Sequence, residues 1–484
     1  MKSIFLIYII LLLPISSLQS QKNLDDEEQF DDAEFFFASE EFDEAFYIFK
    51  QLINKFPENS NLNFRTGMCL LNIEGREKDA LPFFQNAVKN TTLIYRERNF
   101  DVKKAPYHAW YYLGNAYRIN NQLEDALDSY NTFLELENFE EEYNIEIVAN
   151  EIKACERAKI IKDNPVNLVK ENLGELINAG DNISRPVVNI NETVMCFMQE
   201  QRFYDAILLS YKKDGQWTET VNISSQVGSD GDMIPTAFSA DGTEMLLVKR
   251  TNSSNGNIYY SKKTDFLWSE AIKLGKNINT FSDEAYASFS PNGNSLIFSS
   301  ARKGGEGKLD LYISNRLLDG TWGPASNMGS VINSENDETS AFLMKGGSLL
   351  YFASDGHYNM GGFDLFFSKT DSKGDWGEPI NIGYPLNTTN DNMYYQPVSK
   401  SNTGYIALSG EESNFGIKNI YHIEIIPFAD PLAPKNPLAN KDFTLILKDA
   451  GSGEIIEIDY NRKTDNFNIN SNMKSNIIWK LKKN

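Results

Sequence analysis

Histidine and cysteine are scarce, with three of each in a chain of 484 residues. Three widely spaced histidines cannot form a multi-histidine metal cluster, and no two cysteines have the CxxC spacing of a zinc or redox motif. The sequence therefore predicts no metal site, no cofactor and no dense disulfide framework. The residues concerned are His108, His357 and His422, and Cys69, Cys155 and Cys196.

Positive charge and long apolar runs are also in short supply. The chain has 46 Lys and Arg against 67 Asp and Glu, a formal net charge of −21. Such an acidic chain repels the phosphates of nucleic acids and anionic lipids, so neither is an expected partner. After the N-terminal segment no stretch approaches the roughly eighteen apolar residues of a membrane span, so the mature chain is expected to have no transmembrane segment.

The first twenty residues have the pattern of a secretory signal peptide. Lys2 precedes an apolar run at residues 4–13, and a small or polar stretch ends at Ser20. Charged, apolar and cleavage regions in this order direct export, and the apolar run is too short to span a bilayer comfortably. We expect residues 1–20 to be removed and the mature chain to be periplasmic or associated with the outer membrane. No cysteine lies near the junction, so no lipoprotein anchor is expected.

Residues 21–164 carry apolar side chains at helical spacing, which predicts a domain of helical hairpins. Three segments repeat a common pattern of small and large residues, and the chain here resembles the tetratricopeptide family. Residues 140–161, apolar on one face and charged on the other, are expected to form a capping helix. The positions that carry the third repeat are Trp110, Leu113, Gly114, Tyr117, Ala126, Tyr130 and Phe133.

In residues 165–426, short segments of alternating apolar and polar residues are separated by Gly, Asn, Asp and Pro, which predicts strands. A repeat of about 50 residues with four short strands is the signature of propeller blades. The last repeat, near 393–426, lacks its outer strand, and residues 167–173 are expected to supply it. This predicts a ring of five blades, with six as the alternative. The repeat is marked by Trp217, Trp268, Trp322 and Trp376, at intervals of 51, 54 and 54 residues.

The remaining chain predicts a linker and a small module. Residues 427–440 are rich in proline and predict a linker. Apolar and polar residues alternate in 441–484, which predicts a small β module of about four strands. A module of this size is too short to be expected to fold alone. The predicted fold class is thus multidomain, with helical repeats, then a β-propeller, then a short β tail.

The phrases SFSPNG, SLIFSS and LDLYIS at 288–314 resemble the TolB-like or WD-like propeller repeats of Bacteroidetes envelope proteins. The order of the predicted domains resembles a family that includes the peptidoglycan-linked component of the type IX secretion and gliding machinery. In that family a carboxypeptidase-regulatory-like β domain and then an OmpA-like peptidoglycan-binding domain follow. Residues 442–459 resemble the start of that β domain, and no OmpA-like domain follows them. The resemblance therefore implies an envelope role without implying peptidoglycan binding.

Two sets of residues are candidate binding sites. In a tetratricopeptide domain the first helix of each hairpin lines a concave groove, which suits an extended peptide. The alternative is that the helices only pack against the propeller. A second, acidic set precedes the predicted inner strands and could form a negative ring at one mouth of the channel, holding a cation or a basic peptide. Its alternative is ordinary loop solvation. The groove residues are His108, Tyr111, Asn115 and Arg118, and the mouth residues are Asp232, Asp283, Glu284, Asp337, Glu338 and Asp391.

Motifs of catalysis are missing from the sequence. There is no GxSxG nucleophile elbow, and the glycine-rich stretches at 304–307 and 360–362 join strands rather than opening helices. We therefore expect a protein that is not an enzyme, an envelope scaffold or adaptor that binds protein partners or peptides. A glycan- or peptide-binding sensor propeller is the alternative, and an enzyme with an unrecognised site is the third class.

Overall fold

The computed structural model contains two compact units, within Met1–Phe428 and Ala429–Asn484. Most of the predicted signal peptide and all of the predicted linker lie outside the residues it describes. Across the described ranges no helix is long and apolar enough to cross a membrane. These ranges are 15–136, 139–180, 182–201, 203–251, 254–265, 267–344, 346–400, 402–409, 418–426, 444–449, 455–459 and 477–481.

The first unit begins with helices that pack as successive hairpins. Capping is visible at Asn59, whose Oδ1 accepts hydrogen bonds from the amides of Asn61 and Leu62 at 3.0 and 3.1 Å. These bonds satisfy two of the amides that the first turn of a helix leaves without partners. The helices are α1 (Ile15–Ala38), α2 (Phe42–Lys55), α3 (Ser60–Asn72), α4 (Leu81–Ala87), α5 (Ala109–Ile119), α6 (Leu123–Leu134), α7 (Phe139–Glu142) and α8 (Ile145–Lys162).

Small residues let neighbouring helices approach closely. A Cβ atom at Gly67 would lie 2.8 Å from Cζ of Phe84, and one at Gly114 would lie 2.3 Å from Cε1 of Tyr130. Both rings are fully buried. A methyl group at either glycine would therefore displace a large core side chain, which explains the alternation of small and large residues in this part of the sequence.

The segment between α4 and α5 is fastened to the helices. Its ends pair as two short parallel strands, β1 (Thr91–Thr92) and β2 (Ala105–Pro106). Between them, the hydroxyl of Tyr95 donates a hydrogen bond to Oδ1 of Asn61 on α3, at 2.6 Å. This segment is therefore packed against the helical layer.

The described strands from Asn167 to Ile426 form five antiparallel blades. In blades one to four the inner strand comes first in the sequence and the short outer strand last. The first two blades contain β4 (Ile183–Val188), β5 (Val194–Glu200), β6 (Asp205–Lys213), β7 (Gln216–Trp217) and β8 (Val221–Asn222), then β9 (Met233–Phe238), β10 (Glu244–Thr251), β11 (Ser254–Lys262) and β12 (Ile272–Lys273). The next two contain β13 (Glu284–Phe289), β14 (Ser295–Ser300), β15 (Asp310–Asn315) and β16 (Ser326–Asn327), then β17 (Glu338–Leu343), β18 (Leu349–Ser354), β19 (Asp364–Lys369) and β20 (Ile380–Asn381).

The fifth blade joins the two ends of the ring. Its first three strands are β21 (Gln396–Pro397), β22 (Thr403–Ser409) and β23 (Lys418–Ile426), and its outer strand is β3 (Asn167–Asn172). β3 runs antiparallel to β23, from the pair Asn167 with Ile426 to the pair Asn172 with Tyr421. The predicted five-bladed ring is confirmed, and the alternative of six blades is wrong.

The repeated tryptophans pack between neighbouring blades. Trp268 of blade two lies in one apolar cluster with Cys196 and Leu209 of blade one and with Met245 of its own blade. Three of the indoles, those of Trp217, Trp268 and Trp322, are less than a tenth exposed. Since a blade cannot bury both of its faces alone, these contacts explain why the tryptophans recur with the blade period.

The described strands of the second unit form an antiparallel sheet. β24 (Thr444–Asp449) lies between β25 (Ile455–Asp459) and β26 (Ile477–Leu481). The predicted β tail is therefore present as three described strands.

Candidate functional site

Three of the predicted mouth aspartates join neighbouring blades. Each precedes the inner strand of one blade, and its Oδ1 accepts a hydrogen bond from a backbone amide at the start of the third strand of the preceding blade. A carboxylate that accepts such an amide bond in a ring of repeats has a structural role. The pairs are Asp283 with Gly256, Asp337 with Leu309 and Asp391 with Phe363, at 2.6, 2.8 and 2.9 Å.

Glu284 and Glu338 do not reach the channel mouth as predicted. Both side chains are fully buried and point into their own blades, where backbone amides and hydroxyls occupy their oxygens. Burial raises the pKa of Glu338 to about 7. The prediction that these two carboxylates face a cation or a basic peptide is wrong, because they are enclosed and already hydrogen-bonded. The donors are Thr280 and Ser300 for Glu284, and Ser334 and Ser354 for Glu338.

The fourth aspartate, Asp232, forms an ion pair with Lys249 of the same blade. Among the residues that the structure describes, no group of three or more His, Cys, Asp and Glu side chains is placed to hold a metal ion. A binding role for Asp232, Asp283, Asp337 and Asp391 stays a prediction.

Arg118 lies between the helices and the propeller. Its side chain is 6 % exposed, and its Nε lies 2.9 Å from a carboxylate oxygen of Glu151 on α8. Its Nη1 donates a hydrogen bond to the carbonyl oxygen of Thr389, in the loop that leads to blade five. A Cβ atom at Gly361 would lie 2.4 Å from the same Nη1. The prediction that Arg118 lines an open peptide groove is therefore wrong, because its guanidinium is enclosed at this interface.

The other three predicted groove residues are half-buried among aromatic rings. The ring of His108 lies 5.5 Å from that of Phe64, and burial lowers the pKa of His108 from its ordinary value. The ring of Tyr111 lies 6.0 Å from that of Tyr130, whose hydroxyl donates to Oδ1 of Asn115 at 2.7 Å. Partner binding by His108, Tyr111 and Asn115 stays a prediction.

A second contact holds the helices on the same face of the ring. One carboxylate oxygen of Glu74, just after α3, lies 2.7 Å from Nζ of Lys418, and the other lies 3.6 Å from Nη2 of Arg185. Burial alone would raise the pKa of Glu74, but the two cations hold it below its ordinary value. Lys418 begins a third strand and Arg185 lies near the start of an inner strand. The helical layer therefore covers part of the face on which the inner strands begin.

The opposite end of the channel contains a small open recess, with a cavity volume of about 40 Å³. All five inner strands or the turns that follow them contribute to its wall, which places it on the axis of the ring. Apolar side chains predominate, a few polar ones interrupt them, and none of the lining residues is charged. The lining residues are Val188, Ile190, Ala237, Phe238, Ala240, Ser288, Phe289, Ser290, Pro291, Phe342, Leu343, Met344, Gln396 and Pro397.

The sequence predictions did not include this recess. Its residues are spread over more than 200 positions of the chain, and only closure of the ring brings them together. A signal was available in the phrase SFSPNG, which starts at Ser288 and contributes four lining residues. A similar phrase, AFSADG at 237–242, ends the inner strand of blade two, and the likeness indicates positions that face the axis, although not which mouth is open.

Comparisons with known proteins concern the ring. No protein-family model and no curated protein matches the chain. Similar solved structures include TolB from Acinetobacter baumannii, at 15 % identity and a TM-score of 0.35, over 51 % of this chain and 54 % of that one. The α-L-arabinofuranosidase PaAbf62A from Podospora anserina matches at 14 % identity and a TM-score of 0.34, over 54 % and 95 %. The chain thus spans about half the length of the TolB structure, and likeness at this level concerns the fold alone.

One prediction is corrected by these comparisons. The expectation that this chain is not an enzyme is withdrawn, because the similar solved structures include arabinofuranosidases and a gluconolactonase from Xanthomonas campestris. The gluconolactonase matches at 15 % identity and a TM-score of 0.30, over 52 % of this chain and 74 % of that one. An architecture of this kind does not exclude catalysis. At these identities the comparisons assign no activity and no substrate to this chain.

Proposed function

We propose that this chain is an exported scaffold or adaptor of the cell envelope that binds protein partners at the open mouth of its propeller. Export is supported by the signal-peptide pattern of residues 1–20. A role in type IX secretion or gliding is the setting suggested by the resemblance of the domain order. The observation that carries the proposal is the uncharged recess on the ring axis.

The chemistry of this recess favours a protein partner. Concave, mostly apolar sites with a few polar groups are the usual form of binding pockets, and interface hot spots are side chains that fill such pockets. Neither nucleic acid nor a strongly charged ligand suits a wall without charged residues. An apolar side chain projecting from a partner protein does.

The helical layer supports this choice of mouth. Arg118 and Glu74 fix the helices to the other face of the ring. A partner that approaches along the axis therefore meets helices at one end and the recess at the other. In this proposal the helices orient the ring, and the recess forms the contact.

The test compares two charge substitutions in the tagged full-length chain, expressed in its own cells. Ile190 is half-buried in the recess wall and belongs to none of the core clusters, whereas Leu318 is fully exposed on an outer hairpin. We expect the wild-type chain and Leu318→Glu to recover the same envelope proteins after crosslinking, and Ile190→Glu to lose them. Equal recovery by Ile190→Glu would contradict the site. Recovery of no envelope protein by the wild-type chain would contradict the function.

A further inference from the structure

Residues 93–104, here called the crossing segment, pass over α1 and α3, which are the first helices of their hairpins. Phe100 packs on α1, where its ring lies 5.7 Å from that of Phe30. Tyr95 packs on α3, where its hydroxyl donates a hydrogen bond to Oδ1 of Asn61 at 2.6 Å. The crossing segment therefore covers two of the helices that the sequence predicts to line a groove.

The crossing segment is held by side-chain anchors, as a bound peptide is. Its backbone forms neither helix nor strand, and none of its residues, all of which the structure describes, is fully buried. The helical surface beneath it is buried, since Phe30, Asn61 and Phe64 are 1 %, 2 % and 3 % exposed. On its outer side Leu93 and Ile94 are 54 % and 84 % exposed. The contact thus depends on a few inward-facing side chains, which is the usual form of peptide recognition.

The crossing segment is basic, although the chain as a whole is acidic. It contains four basic residues and two acidic ones, whereas α1 carries seven acidic residues within positions 25–34. One of these is Glu34, which is 4 % exposed. Burial raises the pKa of Glu34, and the cations of Arg65 on α3 and Arg98 in the crossing segment oppose that rise. Opposite charge therefore adds to the aromatic contacts, as it does between partners at an interface.

We propose that the crossing segment is an intramolecular ligand of α1 and α3, and that a partner displaces it with a basic segment carrying the same anchors, a tyrosine and a phenylalanine five residues later. The pairing of β1 with β2 fixes its two ends, so it can leave the helices as a closed loop. While it is bound, the partner's apparent affinity is reduced to the fraction of chains in which the surface is open. This inference does not depend on the recess of the propeller.

The test measures binding of a labelled synthetic peptide, residues 91–106 of this chain, to the full-length protein. Tyr95→Phe in the protein removes one hydrogen bond of the internal ligand, so the peptide should bind about five-fold more tightly to this variant than to the wild-type chain. The same substitution in the peptide should weaken its binding about five-fold. In Asn61→Ala the two peptides should bind equally, because the acceptor of the tyrosine hydroxyl is gone.

Two controls separate this surface from the rest of the molecule. Leu93→Ala combined with Ile94→Ala changes two exposed side chains of the crossing segment. This variant should bind the peptide as the wild-type chain does. Ile190→Glu, in the wall of the propeller recess, should also leave peptide binding unchanged, so this measurement and the test of the proposed function can fail independently.

Several results would overturn the proposal. Equal affinity of the wild-type chain and of Tyr95→Phe for the peptide would show that the internal segment does not compete with it. Tyr95→Ala combined with Phe100→Ala removes both anchors and should bind the peptide most tightly. If this double variant does not fold, the comparison with Tyr95→Phe, which keeps the ring, decides. Failure of the peptide to bind any of these chains would reject the surface as a binding site.

Discussion

Asn178 binds both backbone groups of Ile420, a residue 242 positions later in the chain. Its Oδ1 accepts from the amide of Ile420 at 2.8 Å, and its Nδ2 donates to the carbonyl oxygen of the same residue at 3.1 Å. The side chain thereby continues the pairing of β3 with β23 beyond the end of the strand. It fixes the joint at which the ring closes.

The same arrangement recurs within three other blades. In each of these blades the outer strand is short, and an asparagine follows it in the sequence. The side chain of this asparagine forms hydrogen bonds with both the amide and the carbonyl oxygen of one residue on the third strand. In blade one the hydroxyl of Ser224 accepts from the amide of Ile207 instead. The pairs are Asn279 with Ile258, Asn333 with Leu311 and Asn387 with Leu365.

Replacing the asparagine at the joint should loosen the ring. We expect Asn178→Ala to lower the free energy of unfolding by about 2 kcal/mol, because two hydrogen bonds to backbone groups are lost. Limited proteolysis should then cut near residues 167–172 sooner than in the wild-type chain. Glu175→Ala, exposed on the same turn, is the control and should change neither measurement. Unchanged proteolysis of Asn178→Ala would show that β3 does not depend on this side chain.

Removing the guanidinium of Arg118, which pairs with Glu151 on α8 and donates to Thr389 of the ring, should weaken the contact between the helices and the ring. Arg118→Met leaves Glu151 without its cation and Thr389 without a donor, so we expect a loss of about 2–3 kcal/mol. The double variant with Glu151→Met should lose less than Arg118→Met alone, since it leaves no unpaired carboxylate. The control is Lys159→Met, whose partner Glu124 is exposed, with an expected effect below about 0.5 kcal/mol. Additive effects of the Arg118 and Glu151 substitutions in thermal unfolding would contradict the coupling.

Stability should fall as the pH rises towards neutrality, partly because of Glu338. Burial raises its pKa from 4.5 to about 7, so between these values the folded chain binds more protons than the unfolded chain. The free energy of unfolding therefore decreases with pH across this window, by on the order of 3 kcal/mol for this group. Glu338→Gln should flatten the slope, since Ser334 and Ser354 can turn their hydroxyls to accept from an amide. Denaturant unfolding at pH 5 and pH 8 measures the difference, with exposed Glu335→Gln as the control. An unchanged slope in Glu338→Gln would reject the assignment.

The three cysteines should be unreactive in the folded chain. All are free and fully buried, and burial raises the pKa of both Cys69 and Cys155 to about 12. Because the thiolate is the reactive form, a thiol reagent at pH 8 should label none of them without denaturant and all three with it. Rapid labelling of the native chain would show that a core of the helices or of blade one opens readily. The melting temperature should not change when a reductant is added.

The ring could be predicted from the sequence because its determinants are repeated. Each blade must bury the same faces against its neighbours, so Trp268 and Trp322 recur with the same local phrases around them. The missing outer strand of the last blade and the extra strand before the first were visible as a mismatch in that repeat. From this mismatch the closing strand was expected at residues 167–173, and it lies at Asn167–Asn172.

The candidate site could not be predicted in the same way. Arg118 has the spacing of a groove residue, and only the docking of Thr389 onto the helices, 271 positions away, encloses it. Glu338 has the spacing of a mouth residue, but its direction depends on hydroxyls at Ser334 and Ser354 that no periodic pattern reveals. The recess exists only after five distant strands have met.

Photocrosslinking in the native cell tests whether partners bind at the open mouth of the ring. A photoreactive amino acid is placed at Ile190 in the recess wall or at exposed Leu318 on the outer hairpin. We expect a discrete crosslinked envelope protein from position 190 and none from position 318. Crosslinks from position 318 alone, or the same products from both positions, would contradict it.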